Sequence, residues 1–290
     1  MKTTVYTHPA GLAHDTGISH PERGERLQVL QQLLEHEDFR DLDIVEPDKA
    51  TDKQLARAHT ADYIDYVRES SPEMDRIYLD YGDTVMSPGS LDAALYAAGA
   101  VCRAVDDVLT FKTRRAFCMN RPPGHHAEPD RALGFCLFNS IFIGAMQAIA
   151  QYDCNKIVIV DFDVHHGNGT DSMTRQEEHA FYISTHEWPL FPGTGNPDHN
   201  SKHRIMNETL PNASGSKEFR QKYEDIIIPE IESYAPELIM VSAGFDAHAQ
   251  DNISSIQLEN DDYRWISEQL VALANTYCEG RIISVLEGGY

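Results

Sequence analysis

Residues 156–170 read Lys156-Ile157-Val158-Ile159-Val160-Asp161-Phe162-Asp163-Val164-His165-His166-Gly167-Asn168-Gly169-Thr170. Lys156 to Asp161 is a short β-branched run of the kind that forms a strand, and it empties into a polar loop rich in Asp, His and Gly. Three other runs end the same way. RPPGHHAE follows Ala116 to Asn120, GFDAH follows Leu238 to Ala243, and EGGY follows Arg281 to Leu286. Val5 to Thr7 and Phe181 to Thr185 complete the strand candidates. Longer amphipathic segments alternate with these runs, which predicts an α/β fold with a largely parallel sheet. The clearest helix follows Ser90, where apolar residues from Leu91 to Leu109 recur at i, i+3, i+4 and i+7. Further helices are expected at Glu25 to Glu35, Asp52 to Glu69, Phe138 to Tyr152, Lys217 to Tyr234 and Asp261 to Cys278. No repeat, low-complexity tract or Gly/Pro/Ser-rich linker divides the 290 residues, so one domain over 1–290 is expected. Ligands of open parallel sheets bind beyond the carboxyl ends of the strands, so four strands are expected to deliver polar residues to one crevice.

Lys and Arg number 24 against 46 Asp and Glu, a net charge of −22 that argues against a nucleic-acid or anionic-membrane partner and suits a cationic one. Hydrophobic content of 41% with 24% charged residues is ordinary for a globular protein. The five cysteines are odd in number and never closely spaced, so neither a disulfide framework nor a cysteine zinc cluster is expected. MKTTVYTHPAGLAHD lacks the apolar core of a signal peptide, and Ile141 to Ala150 is too short to span a bilayer. A soluble cytoplasmic protein is expected. Whether it forms a homo-oligomer is open.

In an extended segment residues i and i+2 share a face, so Asp163 and His165 can present a carboxylate and an imidazole to one ion. Asp161 falls on the same face one step deeper, and Asp246 can complete an Asp, His, Asp set. Three protein ligands with a fourth position left to water is the pattern of a catalytic zinc. Taken alone, D-x-D-x-H reads as readily as helix caps beside a solvated histidine, and only the other polar strand ends favour the metal. Adjacent His125 and His126 can divide the work of amide hydrolysis. One takes a proton from a metal-bound water while the other, paired to a carboxylate, stays charged. The two glycines before Tyr290 permit a tight turn from which its hydroxyl can reach a substrate carbonyl.

RPPGHHA, GFCLFN (Gly134 to Asn139), DFDVHHGNGT, FPGTG (Phe191 to Gly195), SAGFDAH and LEGGY, in this order, resemble the zinc-dependent histone deacetylase superfamily. The resemblance runs from His20-Pro21-Glu22 to Tyr290. It is strongest to the class II type, which includes bacterial histone deacetylase-like amidohydrolases and acetylpolyamine amidohydrolases. It implies an arginase-deacetylase fold, with a central parallel sheet of about eight strands flanked by helices on both faces. It implies that Asp163, His165 and Asp246 bind zinc, or ferrous iron through the same ligands. His126 would be general base and acid, with Asn168 oriented toward it; His125 would be its electrostatic partner, bonded to Asp161. Tyr290 would polarise the scissile carbonyl. Phe135 and Phe191 match the walls of an acyl-lysine tunnel, the Gly134 carbonyl an acceptor for the substrate N–H, Ile253 a rim position, and Arg26 the foot of the tunnel. Asp161 and Ser184, with backbone of Asp163 and His165, match a structural potassium site.

The implied activity is removal of an acetyl or other acyl group from a linear amine, either an acetyl-lysine side chain or an acetylpolyamine. Asp251-Asn252-Ile253-Ser254-Ser255 stands where the family often has Asp-Pro-Leu-Gly-Gly, so a different rim shape is expected. The sequence stops at Tyr290 where family members continue, so the C-terminal helical end is expected to be absent. A two-metal ureohydrolase of the arginase type shares the fold but needs further bridging carboxylates. A catalytically weak acetyl-amine binding protein is the non-enzymatic alternative.

Overall fold

The computed structural model describes residues 2–80 and 82–290. Its strands are β1 (Thr4–Tyr6), β2 (Asp43–Val45), β3 (Ile77–Tyr78), β4 (Val85–Met86), β5 (Arg115–Cys118), β6 (Ile157–Asp161), β7 (Ala180–Glu187), β8 (Ile205–Leu210), β9 (Leu238–Ala243) and β10 (Ile282–Leu286). Eight of them form one parallel sheet in the order β2-β1-β5-β10-β9-β6-β7-β8, and β3 and β4 pair separately. The helices are α1 (Ala10–Ala13), α2 (Gly24–Leu34), α3 (Asp52–Leu55), α4 (Ala61–Glu69), α5 (Ser90–Leu109), α6 (Ser140–Tyr152), α7 (Asn168–Thr174), α8 (Ser216–Lys222), α9 (Ile228–Tyr234) and α10 (Asn260–Tyr277). No helix of the described residues is long and apolar enough to cross a membrane.

Side chains alternate across a strand, and β6 uses both faces. Ile157 and Ile159 pack with α5 and α6, whereas Val158 and Val160 pack with Phe219, Ile231, Ile266 and Leu270 from α8, α9 and α10. Burial of both faces is what a parallel sheet between two helical layers requires.

Two expected helices are interrupted. Asp52 to Glu69 divides because Thr51 and Thr60 each cap a new start, accepting from the backbone N–H of Gln54 and Tyr63. Lys217 to Tyr234 keeps one direction but widens to a π turn over Tyr223–Ile227. Pro229 follows at the first turn of α9, and its missing N–H removes an ordinary helical bond there. The edge strands β2 and β8 were not among the expected strands. β2 is only three residues long and largely exposed, and β8 carries Asn207, Glu208 and Thr209, so neither has an apolar run to announce it.

The four strands with polar loops, β5, β10, β9 and β6, are immediate neighbours. Their ends are level, with Asp161 opposite Ser242, Ser242 opposite Val285, and Val285 opposite Cys118. A buried ion pair closes one flank of this crevice. Arg121 is fully buried, with Nη2 donating to Glu22 Oε2 at 2.8 Å and to the His14 carbonyl at 3.1 Å, so the segment before α2 is tied to the end of β5. Burial opposes charge on Glu22, but Arg121 and His14 outweigh it and hold the carboxyl well below its ordinary value of 4.5.

A depressed native pKa gives stability that is complete above the unfolded value and is lost as pH falls below it. Removing one member of a buried pair typically costs about 3 to 5 kcal/mol. Glu22→Gln is therefore expected to lose about 3 kcal/mol of urea unfolding free energy at neutral pH and to flatten its acid limb below about pH 5. Equal stability at neutral pH would show that the pair contributes nothing.

Candidate functional site

Four buried carboxylates at the strand ends accept backbone N–H groups, Asp161 within its own loop and Asp163, Asp246 and Glu287 from neighbouring loops. Asp161 Oδ1 accepts from the N–H of Asp163 at 3.1 Å, and Asp163 Oδ1 from that of His165 at 2.9 Å. These successive side-chain turns end β6 at Asp161, so Asp163 and His165 meet in a bend and not on one face of an extended strand. Asp163 Oδ2 accepts from Gly288 N–H at 2.8 Å, Asp246 Oδ1 from Val164 N–H at 2.9 Å, and Glu287 Oε2 from the N–H groups of Gly124 at 2.6 Å and His125 at 3.1 Å. Asp161 does not share the Asp163–His165 face expected of it; its Oδ2 accepts from His125 Nδ1 at 3.0 Å and from the Tyr182 hydroxyl at 2.8 Å.

Asp163, His165 and Asp246 bring three donor atoms within 4.8 Å of one another, and among the described residues this is the one such group. His165 Nδ1 lies 3.1 Å from an oxygen of each carboxylate. Burial works against charge on His165, yet the two carboxylates draw its pKa up to about 10. Burial and the charge of Asp163 push Asp246 the other way from an ordinary carboxylate, up to about 6. Two carboxylates and an imidazole in this concentration of negative charge are a donor set for a divalent cation such as zinc. Close walls hold it: a Cβ on Gly244 would stand 2.1 Å from Asp163 Oδ2, and one on Gly288 would stand 2.2 Å from Asp246 Oδ2.

The adjacent histidines occupy opposite electrostatic environments. Burial disfavours the charged form of both. At His125 the charges of Asp161, Asp163 and Glu287 prevail and raise the pKa to about 10. At His126 burial is reinforced by His125 and His165, and the pKa falls well below 6.5, leaving a neutral ring. His126 Nδ1 lies 2.8 Å from Asn168 Oδ1.

A cleft of about 230 Å³ ends on these groups, lined by Asp83, His126, Gly134, Phe135, His165, Leu190, Phe191, Ile253 and Tyr290. Phe191 stands edge-on to His126 with ring centres 5.2 Å apart, and Phe135 stands edge-on to Tyr290 at 5.9 Å. Ile253 reaches the cleft from a loop held by Ser254 Oγ donating to the Asp246 carbonyl at 3.2 Å and by Ser255 N–H donating to Glu187 at 3.0 Å. The Gly134 carbonyl accepts the Cys136 thiol at 3.3 Å and retains a second lone pair. Tyr290 is held by its N–H on Asp251 and by the Arg26 guanidinium, 4.6 Å from its ring centre. Burial pushes its phenol well above 10, so it stays protonated.

Arg26 does not line this cleft. It stands behind Tyr290, donating to the Gly289 and Glu287 carbonyls at 2.5 and 2.6 Å, and lines a separate cavity of about 430 Å³. Ser184 also lies apart, fully buried beside Asp161 through the β6–β7 register. Sequence reasoning left Glu287, Glu22, Arg121 and Asp83 without roles. Glu287 and Arg121 sit inside quoted motifs, but their partners lie about a hundred or more residues away and no spacing reveals them.

Residues 20–290 match the histone deacetylase domain. A probable deacetylase of Archaeoglobus fulgidus is 37% identical across the whole chain, which spans 82% of that protein. A histone deacetylase-like amidohydrolase of Pseudomonas aeruginosa is 32% identical over 83% of the chain and 64% of its own length. A crystal structure of the HDA15 HD domain superposes with a TM-score of 0.92 at 30% identity, over 100% of this chain and 84% of that one. The eight-stranded sheet and its helical layers are thus the arginase-deacetylase fold.

Elemental analysis of protein purified with divalent metal is expected to find one equivalent per chain, and Asp246→Ala is expected to retain none. Two tightly held equivalents would require a second donor set and would revive the two-metal reading.

Proposed function

The chain belongs to the histone deacetylase family, and from that premise we propose that it is a zinc-dependent deacetylase hydrolysing the amide of a linear acylated amine. The observation that carries this reading is the floor of the cleft. There a neutral His126, His165 of the three-donor group and the Tyr290 phenol converge at the end of a narrow channel walled by Phe135 and Phe191. Relatives named as deacetylases support the reaction class.

Zinc, or ferrous iron on the same Asp163, His165 and Asp246 donors, supplies Lewis acidity to water and to the amide carbonyl when bound. His126 takes the proton of the attacking water at Nε2 and returns it to the departing amine. His125, kept charged by Asp161, steadies the negative charge that develops beside it. Tyr290 donates its hydroxyl to the carbonyl oxygen, and that bond strengthens as the oxygen becomes an oxyanion. Phe135 and Phe191 enclose the methylene stem, and the free lone pair of the Gly134 carbonyl accepts the substrate N–H. Arg26 secures the Tyr290 segment from behind. A potassium ion at Asp161, Ser184 and the backbone of Asp163 and His165 belongs to the same reading as a structural element.

The substrate we favour is an acyl-lysine side chain in a peptide over an acetylpolyamine, because the rim position Ile253 is apolar and not a glutamate. The net charge of −22 favours cationic small-molecule or peptide partners over nucleic acid and anionic membrane. Asp83 places one carboxylate at the cleft, and partial burial together with its neighbour Asp80 pushes it up to about 6.

Losing one preorganised oxyanion donor typically costs about 10² to 10³ in kcat. Tyr290→Phe is expected to lose that much turnover on an acetyl-lysine peptide while binding a metal-chelating inhibitor within a few-fold of the original affinity. Unchanged kcat would remove Tyr290 from the chemistry. For a cationic peptide, KM is expected to rise as pH falls through about 6 and Asp83 gains its proton; for a neutral acetamide of equal length it is not. Asp83→Asn is expected to erase that difference, and identical pH profiles for the two substrates would rule out selection by Asp83.

A further inference from the structure

A carboxamide is planar, with one acceptor and two donor N–H groups at opposite ends, so its neighbours decide which way it faces. Asn168 is buried at the start of α7. Its Oδ1 faces His126 Nδ1 at 2.8 Å. Its Nδ2 faces two acceptors, the carboxylate of Glu128 at 2.7 Å and the His126 carbonyl at 3.2 Å. Turned over, the amide would set its oxygen against both of those oxygens. One orientation is therefore allowed, and in it only the Nδ1–H tautomer of His126 completes the bond, leaving the lone pair on Nε2. An aspartate in this place would accept from Nδ1 with either oxygen and would need no such guide.

Glu128 is itself held. Arg131 Nη2 donates to its Oε1 at 2.8 Å, and its backbone N–H donates to the Arg131 carbonyl at 2.9 Å. Its carbonyl accepts from His59 Nδ1 at 3.0 Å. His59 Nε2 accepts the Asn139 N–H at 2.9 Å, and burial pushes that ring down to about 4, so it is neutral with its proton on Nδ1. The Glu128 carboxylate borders a second, polar cavity of about 640 Å³ shared with Asn168, Asp171 and Asn207. That cavity is distinct from the substrate cleft, and the Glu128 carboxylate reaches His126 through Asn168.

We propose that Glu128 is a positioning residue, fixing the Asn168 carboxamide so that His126 is presented as its Nδ1–H tautomer with Nε2 free for proton transfer. The proposal rests on the reading of His126 as general base and adds the group that sets its tautomer.

Loss of a group that orients a ligand or base from behind typically costs about 10- to 100-fold in activity. With the zinc-loaded full chain and an acetyl-lysine peptide, Glu128→Ala is expected to lower kcat by about that factor with KM changed less than about threefold. Glu128→Gln, which can still turn an oxygen toward Asn168, should recover most of the loss. Asn168→Asp alone puts a second carboxylate against Glu128 and should also be impaired, whereas Glu128→Ala combined with Asn168→Asp should exceed both single variants. In ¹⁵N-histidine spectra the His126 resonances, assigned by their absence in His126→Ala, should show a bare Nε2 in the unmodified protein and lose that signature in Glu128→Ala. If Glu128→Ala keeps its kcat and its tautomer, or if the double variant is no better than Glu128→Ala, the positioning role is overturned. If His126→Ala itself keeps full turnover, it is the general-base reading that fails.

Discussion

Buried carboxylate charge is the constraint around which this protein is arranged. Asp161, Asp163, Asp246 and Glu287 are each at most 1% exposed and converge at the ends of the three adjacent strands β6, β9 and β10. Ionised groups at that depth must be hydrogen-bonded or paired, since leaving them bare would cost more than the fold can tolerate. The answer is local in each case and collective in effect. Every carboxylate accepts N–H groups from a loop, and three of them reach across to a different strand's loop: Asp163 to Gly288, Asp246 to Val164, Glu287 to Gly124 and His125. The same bonds that satisfy the charges position the histidines, the Asp163–His165–Asp246 group and the segment that ends in Tyr290. Site and scaffold are therefore one network, in which moving any loop leaves a carboxylate unsatisfied.

The split between His125 and His126 follows from that network. The two rings are neighbours in sequence with centres 4.0 Å apart, so their difference comes from what surrounds them. His125 looks toward Asp161 and the carboxylate cluster, while His126 looks toward a neutral carboxamide and two charged rings. A charged ring and a neutral ring thus arise from one residue type by environment alone.

Much of the sheet was legible because its central strands are short, apolar and buried on both faces. Leu238 to Ala243 agrees with β9 to the residue, and Lys156 to Asp161 with β6 to within one. β2 and β8 were silent because an edge strand with one dry face has no apolar run to display. Within the site, residue types were legible but directions were not. Asp163 and His165 were expected to share a face of an extended strand; the side chains of Asp161 and Asp163 capture the N–H groups of Asp163 and His165 and bend it instead. Arg26, matched to the tunnel foot, stands behind Tyr290, where the Gly289 and Glu287 carbonyls and Glu22 take its donors, contacts that no spacing announces. The roles of Arg121, Glu287 and Glu128 depend on partners distant in the chain, or on which end of an amide faces a ring, and neither is written in a spacing.

The close approach of Gly244 and Gly288 to the Asp163 and Asp246 carboxylates carries a consequence for how such a protein can diversify. Even a methyl group at either position would overlap an Asp163 or Asp246 oxygen, so this end of the cleft has no room for side-chain experiment. At the other end, Asp83 is exposed and Leu190 and Ile253 are only partly buried, on loops that rim the cleft. Inherited variation is thereby channelled outward. A lineage built on this scaffold can sample new substrates by exchanging residues at the mouth while its chemistry is carried forward unaltered, so a change of diet would cost it no relearning of the reaction.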